Sequence, residues 1–412
     1  MGYQQGLSGL SASSNDLDVI GNNIANANTV GFKQSTAQFA DLYANTIATT
    51  VNNQIGIGTR LASVQQDFTQ GTFKTTGQAL NVAINGTGFY QMSNNGSLTY
   101  SRNGVFQLDK NGFITDSQGF QLMGYAANAN GVINSAQTVP IQVPTSNIAP
   151  IATQTVSAQL NLNSQDTVPT VTPFSATDSQ TYNYSTSIQV YDSLGGSQQV
   201  NMYFVKTAAN TWDVYSGPAS GAISQVGTAG FSTSGALTST TATAPATSPS
   251  TGQLSFTIPN SDGSTTPQPL TLDLTGTTQY GGKDGVTNLS QDGFATGELT
   301  NFSIGADGII SGTYSNGRTQ SLGQIVLANF NDPNGLQNLG NDQFAETSAS
   351  GVPQISAPGS TNHGTLTGGA LENSNVDLTS QLVDLITAQR NYQANAQTIK
   401  TQQAVDQALI NL

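Results

Sequence analysis

The stretch SGLSASSNDLDVIGNNIANANTVGFK, from Ser8 to Lys33, decides the fold of this chain. With the residues just before it, the stretch repeats apolar side chains at spacings of three and four. The stripe consists of Leu7, Leu10, Leu17 and Ile24, with the small residues Ser14 and Gly21 at the intermediate places. This spacing predicts an amphipathic helix with a heptad stripe. A helix from Tyr3 to about Asn28 would be about 39 Å long, and Gly31 suits its end.

The other end of the chain carries a matching pattern. Asp377 is placed to cap the first free amides of a helix that starts at Leu378. The second stripe consists of Leu378, Leu382, Leu385, Tyr392, Ala396 and Ile399, with Gln389 at one seam position, and it drifts by Val405 to Leu409 and Leu412. Because no Gly or Pro follows Asp377, we expect a helix of about 35 residues, roughly 50 Å long.

Two long amphipathic helices at opposite ends of a chain have no partner in their own sequence neighbourhood. They can bury their stripes against each other or against other copies of the chain. The alternative is that both helices pack on an internal domain. The stripes are narrow and rich in Ala, Gln, Asn and Ser, which favours a coiled-coil seam. We therefore predict that the stripe residues named above form a subunit-assembly surface: Leu7, Leu10, Leu17, Ile24, Leu378, Leu382, Leu385, Tyr392, Ala396 and Ile399.

The middle of the chain has the pattern of antiparallel sheet. Asn-Gly and Asp-Gly pairs recur at short intervals, and several are flanked by alternating or β-branched runs. Such runs occur at 80–84, 187–191 and 322–327. The primed turns that these dipeptides favour match strand twist, so hairpins are expected. The segment Gly217 to Gly252 is mostly Ser, Thr, Ala and Gly. It should bury little and form loop, insertion or weak strand.

These patterns predict an α+β multidomain fold. Long terminal α-helices would form a coiled-coil-like inner domain, and two mainly antiparallel β domains would follow, the second inserted into the first. The predicted boundaries are 1–30 and 371–412 for the helical domain, 31–70 and 359–370 for a connecting segment, 71–145 and 287–358 for the first β domain, and 146–286 for the inserted outer β domain. The length of 412 residues supports more than one core, since single cores stop growing at roughly 250 to 300 residues.

The composition excludes several classes of function. The chain has 10 Lys+Arg against 23 Asp+Glu, and only 8% of its residues are charged. Such an acidic chain has no basic surface for nucleic acid. Without Cys there is no disulfide, thiolate ligand or cysteine nucleophile. The single histidine, His363, lies in a turn-rich stretch and is expected to be a solvated loop residue.

Candidate chemical motifs are weak. The pairs Gly56/Gly58 and Gly86/Gly88 do not complete a phosphate loop, and the stretch that starts at Asp109 resembles a calcium loop with Phe113 in a ligand position. No paired carboxylates suited to acid–base catalysis are evident. We therefore predict no enzyme activity, no catalytic residues, no metal site and no cofactor.

The composition is that of an exported protein, yet the sequence shows no usual export signal. No window reaches the roughly 20 apolar residues that span a bilayer, so no membrane insertion is expected. The first residues lack the basic and apolar regions of a cleavable signal.

The two ends together resemble a known family. Ser8–Lys33 looks like the N-terminal signature of the bacterial flagellar rod and hook axial proteins. The stretches NSNVDL (Asn373–Leu378) and AQRNYQANAQTIKT (Ala388–Thr401) resemble the matching C-terminal signature. Length and the segments Leu322–Phe330 and Tyr203–Trp212 favour the hook members of the family. Other axial components, such as distal rod or hook-filament junction proteins, stay open as alternatives, and a surface adhesin is a third.

The resemblance implies a structural role. Hook proteins are exported unfolded through the flagellar type III export apparatus without a cleavable signal, and they polymerise into a curved extracellular tube. In that tube, paired terminal helices would line the channel and β domains would face outward. The tube is a flexible universal joint that passes motor torque to the filament. The implied partners are other copies of the chain, the distal rod, hook cap and hook-filament junction proteins, and the export apparatus.

Overall fold

The computed structural model describes residues 2–42, 56–144 and 146–410. The protein is mostly β, with 43% of it in strands, and has one helix near each end. Helix α1 spans Gly2–Ala25 and helix α2 spans Leu378–Ile410. The predictions of terminal helices and of a β-rich middle are confirmed.

The helix ends follow local chemistry. Asp377 caps α2 as predicted, because its Oδ1 accepts hydrogen bonds from the N–H groups of Thr379 (2.9 Å) and Ser380 (3.4 Å). Helix α1 ends at Ala25, earlier than expected, and turns continue the chain to Gly31. The prediction that Gly31 ends the helix is wrong. Gly31 has φ +78°, and a Cβ atom there would lie 2.9 Å from the backbone N of Asn103. This glycine is needed for a close approach to the β structure.

The strands fall into three groups along the chain. The first group is β1 (Ser35–Leu42), β2 (Gly58–Gln66), β3 (Phe73–Thr75), β4 (Val82–Asn85), β5 (Phe89–Asn94), β6 (Ser97–Ser101), β7 (Gln107–Leu108), β8 (Ile114–Thr115), β9 (Gln121–Ala126) and β10 (Val139–Pro140). The second group is β11 (Thr155–Asn161), β12 (Tyr184–Tyr191), β13 (Ser197–Ala208), β14 (Thr211–Pro218), β15 (Ser224–Phe231), β16 (Leu237–Ala242), β17 (Gln253–Ile258), β18 (Gln268–Asp273) and β19 (Gly285–Gln291). The third group is β20 (Leu299–Ile304), β21 (Ile309–Tyr314), β22 (Thr319–Ile325), β23 (Leu327–Asn329), β24 (Gln337–Gly340), β25 (Gln343–Ala345), β26 (Gln354–Ser356), β27 (Thr365–Gly368) and β28 (Ala370–Glu372).

The chain divides into two compact units. The first comprises Met1–Thr145, Asn301–Thr313 and Thr319–Leu412, and the second comprises Ser146–Thr300 and Tyr314–Arg318. In the first unit, the main sheet runs in the order β20-β21-β22-β9-β5-β6-β25-β24. Its aromatic core contains Phe89, Tyr100, Phe330 and Phe344, which meet edge to face at centroid distances of 4.8–5.9 Å.

Short pairings join the two ends of the chain within the first unit. Strands β1 and β2 form an antiparallel pair of their own. Strand β27 pairs with β4, and β28 pairs with β3, with Glu372 opposite Phe73. The segment that leads into α2 is therefore held by β3 and β4.

The second unit has two sheets around one core. The orders are β17-β18-β11-β19 and β12-β13-β14-β15-β16. Side chains from both sheets share a cluster that includes Leu160, Phe204, Trp212, Leu254 and Leu272, all 0–1% exposed. Alternating inward residues supply this core, as in Thr155–Asn161, where every second residue is buried.

The expectation that Gly217–Gly252 buries little is wrong. This segment holds β15 and β16, and Val226, Ala229 and Phe231 lie in the core. Few apolar residues suffice because Gly227 lets Leu254 approach: a Cβ atom at Gly227 would lie 2.6 Å from Leu254 Cδ2. Because this packing relies on small residues, the composition of the segment did not indicate it.

The predicted turns close hairpins through side-chain acceptors. Asp109 Oδ1 accepts hydrogen bonds from the N–H groups of Asn111 and Phe113, both 2.8 Å. The stretch that resembled a calcium loop is a turn. Asn95 and Gly96 join β5 to β6 with φ values of 50° and 96°, as primed turns require.

Candidate assembly surface and connection of the helices to the β structure

The helices α1 and α2 pack antiparallel through small residues of α1. A Cβ atom at Gly6 would lie 3.0 Å from Ile399 Cγ1, and one at Gly9 would lie 2.8 Å from Asn395 Oδ1. At the other end of the contact, Asn23 Nδ2 donates to Gln381 Oε1 (3.0 Å). Glycines at the contact let the two helix axes approach closely.

The contact face of α1 lies one position away from the predicted stripe. It runs through Gly6, Gly9, Ser13, Asp16, Ile20 and Asn23, which also repeats at spacings of three and four. The matching face of α2 runs through Gln381, Leu385, Ala388, Asn395, Ile399 and Gln402, all at least partly buried. Sequence reasoning missed most of these residues because they are small or polar. Their heptad spacing was the signal that could have found them.

The predicted assembly residues fall into two groups. Leu10, Leu17, Ile24, Leu385, Ala396 and Ile399 are partly buried within the chain. The other four are more exposed: Leu7 at 51%, Leu378 at 43%, Leu382 at 49% and Tyr392 at 37%. Of the ten, Ile399 is brought against the opposite helix at Gly6. Val383 and Ile386, which the prediction omitted, are 59% and 50% exposed. Leu412 lies outside the described residues.

Helix α1 is also fixed to β1 and β2. Asn23, 2% exposed, forms a reciprocal pair with Ser35: its Nδ2 donates to the carbonyl O (2.7 Å), and its Oδ1 accepts from the N–H (2.8 Å). Gln5 Nε2 donates to the carbonyl of Gly56 (2.6 Å). The buried amide of Asn23 therefore ties α1, β1 and α2 together.

A polar cavity of about 260 Å³ lies between α1, α2 and the start of β1. Asp16 of α1 and Asp384 of α2 both line it. Burial raises the pKa of Asp16, and the neighbouring Asp384 carboxylate raises that pKa further. A like-charge pair thus opposes the helix contact when both groups are ionised.

Three buried charged side chains connect the helices to the β structure. Lys33 Nζ lies 2.7 Å from Glu372 Oε1, and Arg102 Nε lies 3.5 Å from Glu372 Oε2. Burial lowers the pKa of Lys33, as does the nearby Arg102, whereas Glu372 acts in the opposite direction. Burial likewise lowers the pKa of Arg102 against the effect of Glu372. Lys33 and Arg102 are therefore both stabilised in their charged forms by the Glu372 carboxylate.

The candidate chemical residues have structural roles. His363 is partly buried rather than solvated as predicted: Nδ1 lies 2.9 Å from Ser356 Oγ, and Nε2 lies 2.8 Å from the carbonyl of Gln354. Gly86 presents its carbonyl to Arg102 Nη2 (2.7 Å) and donates its N–H to Gln70 Oε1 (2.8 Å), so both of its backbone groups are bound within the chain. In the part of the chain that the structure describes, no group of three His, Cys, Asp or Glu side chains could hold a metal ion. Neither α1 nor α2, within the described ranges, combines the length and apolarity needed to cross a membrane.

Paired terminal helices, a β-rich middle and matching end signatures define the class of bacterial flagellar axial proteins. Family profiles agree with this class. They match the flagella basal body rod protein at 4–33, the flagellar hook protein FlgE/F/G D1 domain at 83–163, the flagellar basal body protein FlaE D2 domain at 161–294 and the flagellar basal body rod FlgEFG protein C-terminal at 367–412.

Relatives of similar length identify the family within this class. The chain is 43% identical to the flagellar hook protein FlgE of Salmonella typhimurium over 420 residues and 42% identical to that of Escherichia coli over 425 residues, in each case covering 100% of both chains. It is 32% identical to the Treponema pallidum protein over 99% of this chain and 98% of that one. The chain therefore belongs to the flagellar hook protein family, a family of structural proteins rather than enzymes.

A solved structure has a related fold. The Helicobacter pylori flagellar hook protein FlgE2 superposes with a TM-score of 0.52 and 14% identity, covering 73% of this chain and 100% of that chain. At this identity the likeness concerns the fold alone.

Proposed function

We propose that copies of this chain assemble through their terminal helices into a curved tube that acts as a flexible joint between motor and filament. Family membership supports the role, and one observation on the helices carries the assembly mechanism. Leu378, Leu382 and Ile386, spaced by four along one side of α2, are 43–50% exposed. An apolar row of this kind is stabilised when another copy covers it.

The ten predicted stripe residues remain our proposed assembly residues, and the structure refines how we would test them. Ile399 already packs within the chain, so a charge there would disturb the folded subunit as well as the polymer. Leu382→Asp is a better test of assembly, because Leu382 is exposed and a charge there should leave the folded subunit intact. Burying that charge between copies should raise the concentration needed for assembly at least about tenfold, equivalent to about 1.4 kcal/mol.

The matched control is Thr401→Asp, which adds the same charge at an exposed polar position of α2. Sedimentation of assembled protein, with circular dichroism of the soluble fraction, reports both assembly and folding. Equal assembly by the Leu382→Asp and Thr401→Asp proteins would reject the proposed surface.

We also propose the coiled-coil character of the helix pair and the nested arrangement of the domains. The spacings of three and four on both contact faces support the first. The division of the chain supports the nested arrangement. The chain leaves the first unit after residue 145 and has returned to it by residue 319. The predicted boundaries stay proposals, and this unit continues beyond 286 to Thr300.

The remaining partners are proposed from the family relationship. They are the distal rod, hook cap and hook-filament junction proteins and the flagellar type III export apparatus, which would export the chain without a cleavable signal. Chemical crosslinking in intact basal bodies would test the neighbours. The intact mass of the extracellular protein would test export, because removal of a leader would shorten the chain.

Low surface charge would let outer subunit contacts slide as the tube rotates while bent. Only 8% of residues are charged, and Ser, Thr, Asn and Gln exchange partners with water at small net cost. Opposed Lys and Glu substitutions across an outer contact should stiffen bending and impair swimming. Unchanged stiffness and swimming would contradict the idea.

The competing assignment is another axial component, such as a rod or junction protein. It is worth testing because rod-family profiles match both ends of the chain. Electron microscopy of a deletion strain separates the two. Basal bodies that retain the rod but lack the hook support our proposal, whereas intact hooks would contradict it.

A further inference from the structure

We propose that Glu372 is the residue that fastens both terminal helices to the first β unit, so that load on the helices reaches the sheet through its carboxylate. This inference rests on the proposed tube, in which the helices bear load. The contacts themselves lie within one chain and can be tested without the tube.

Both helix connections converge on Glu372. It is the last residue of β28 and shortly precedes the Asp377 cap of α2. Lys33 follows α1 closely in sequence, and its Nζ lies 2.7 Å from Glu372 Oε1, with both side chains 1% exposed. The backbone adds a second tie, because the N–H of Gly31 donates to the carbonyl of Glu372 (2.9 Å).

The third member of the cluster comes from the main sheet. Arg102 follows β6, and its Nη2 donates to the carbonyl of Gly86 (2.7 Å). Its guanidinium lies 5.9 Å from the ring centroid of Phe89, a core residue. The carboxylate of Glu372 thus has one oxygen toward the helix connections and the other toward the sheet.

The two sides of the carboxylate are held differently. Oε1 accepts from Lys33 and from the N–H of Gly71 (2.9 Å). Oε2 faces Arg102 Nε at 3.5 Å, and among the described residues neither atom has a hydrogen-bond partner. The helix side is therefore held by short hydrogen bonds, and the sheet side by a longer contact between opposite charges.

The backbone around Glu372 is closely packed at Gly31 and Gly71, where a larger residue would not fit. A Cβ atom at Gly31 would lie 3.0 Å from the carbonyl carbon of Arg102, and one at Gly71 would collide with the carbonyl oxygen of Asn373. Asn375 adds hydrogen bonds to the N–H of Gln34 (2.8 Å) and the carbonyl of Asp67 (2.8 Å). These ties position the connections, but among the residues that the structure describes Glu372 alone joins both connections and the sheet by charge.

A buried ion cluster could instead serve only general stability, so the test must separate the two roles. Glu372→Gln keeps the shape but leaves two buried cations without their carboxylate. Adding Lys33→Met removes one of those cations and should restore much of the folding. The control is Lys206→Met, since Lys206 is also buried and donates to backbone carbonyls, including that of Asp166 (2.9 Å), in the second unit.

The measurement is hydrogen exchange of residues 31–34 and 370–376 in full-length assembled tubes, or in the soluble chain for a variant that does not assemble. We expect exchange in these segments to rise at least tenfold in Glu372→Gln and in the double variant, with β5 and β9 unchanged and Lys206→Met normal there. In assembled hooks, torsional stiffness should fall about twofold in the double variant but not in Lys206→Met.

The proposal is overturned if the double variant restores protection of both segments, or if Lys206→Met raises their exchange equally. Raised exchange with unchanged torsional stiffness would leave the fastening in place and reject the load path. Loss of assembly together with normal exchange in the soluble chain would also reject the fastening. Tubes of the unchanged chain that fail to act as joints would instead count against the proposed function.

Discussion

Gly9 of α1 lies directly against Asn395 of α2: a Cβ atom on Gly9 would be 2.8 Å from Asn395 Oδ1. At Gly21, on the same helix, the corresponding position has no described atom within 4 Å apart from the neighbouring residues and backbone of its own helix. Two glycines in one helix thus have different reasons to be there. The first sets how close the helices come, and the second leaves an open surface.

This contrast predicts opposite effects of one substitution. Gly9→Leu should destabilise the helix pair by about 1–3 kcal/mol through overpacking. Gly21→Leu should stabilise α1 by about 0.5–1 kcal/mol, because leucine has the higher helix propensity. Thermal melting of the soluble, unassembled chain, followed by helical circular dichroism, measures both, because Gly21 lies in the stripe proposed for contacts between copies. A Gly9→Leu protein as stable as Gly21→Leu would show that the helices do not meet at Gly9.

The buried amide of Asn23 gives a second prediction. Asn23→Leu removes the partners of the Ser35 N–H and carbonyl and of Gln381, and unsatisfied buried groups cost about 1–3 kcal/mol each. We therefore expect a clear loss of stability and faster proteolysis between α1 and β1. Asn22→Leu, at an exposed position next to it, should change stability by less than about 0.5 kcal/mol. Similar behaviour of the two variants would refute the role of Asn23.

The Asp16 and Asp384 pair predicts a pH dependence. The pKa of Asp16 is raised in the folded state, so folding is opposed above that raised pKa and the opposition is relieved as pH falls through it. The helix pair should therefore become more stable on mild acidification, before other carboxylates protonate. Asp16→Asn should be more stable than the unchanged chain at neutral pH and should lack this gain.

Asp18→Asn is the control for net charge, since Asp18 is exposed on the same helix. It should keep the gain in stability on acidification. If the Asp16→Asn protein gained stability on acidification as much as the Asp18→Asn protein, the pair would not be the cause.

The sequence predicted the terminal helices and many strands because their signals are local. Asp377 caps its helix within the next turn, and Asn95-Gly96 closes its hairpin within four residues, so neighbouring residues decide both. The family signatures at the two ends were equally visible in the sequence.

The helix contact face and the ion cluster could not be predicted in the same way. Gly6, Gly9 and Ser13 have no hydrophobic signal, and their importance depends on Asn395 and Ile399 at the far end of the chain. Lys33, Arg102 and Glu372 are ordinary surface residue types whose burial arises only when three distant segments meet. Packing of small residues also explains the misjudged segment 217–252.

The central claim is that the terminal helices build the tube, and a cryo-electron microscopy reconstruction of tubes assembled from the full-length chain tests it most directly. We predict that α1 and α2 form the innermost layer, with Leu378, Leu382 and Ile386 covered by another copy. A tube in which these side chains stay exposed, or in which the helices lie on the outer surface, would contradict the account.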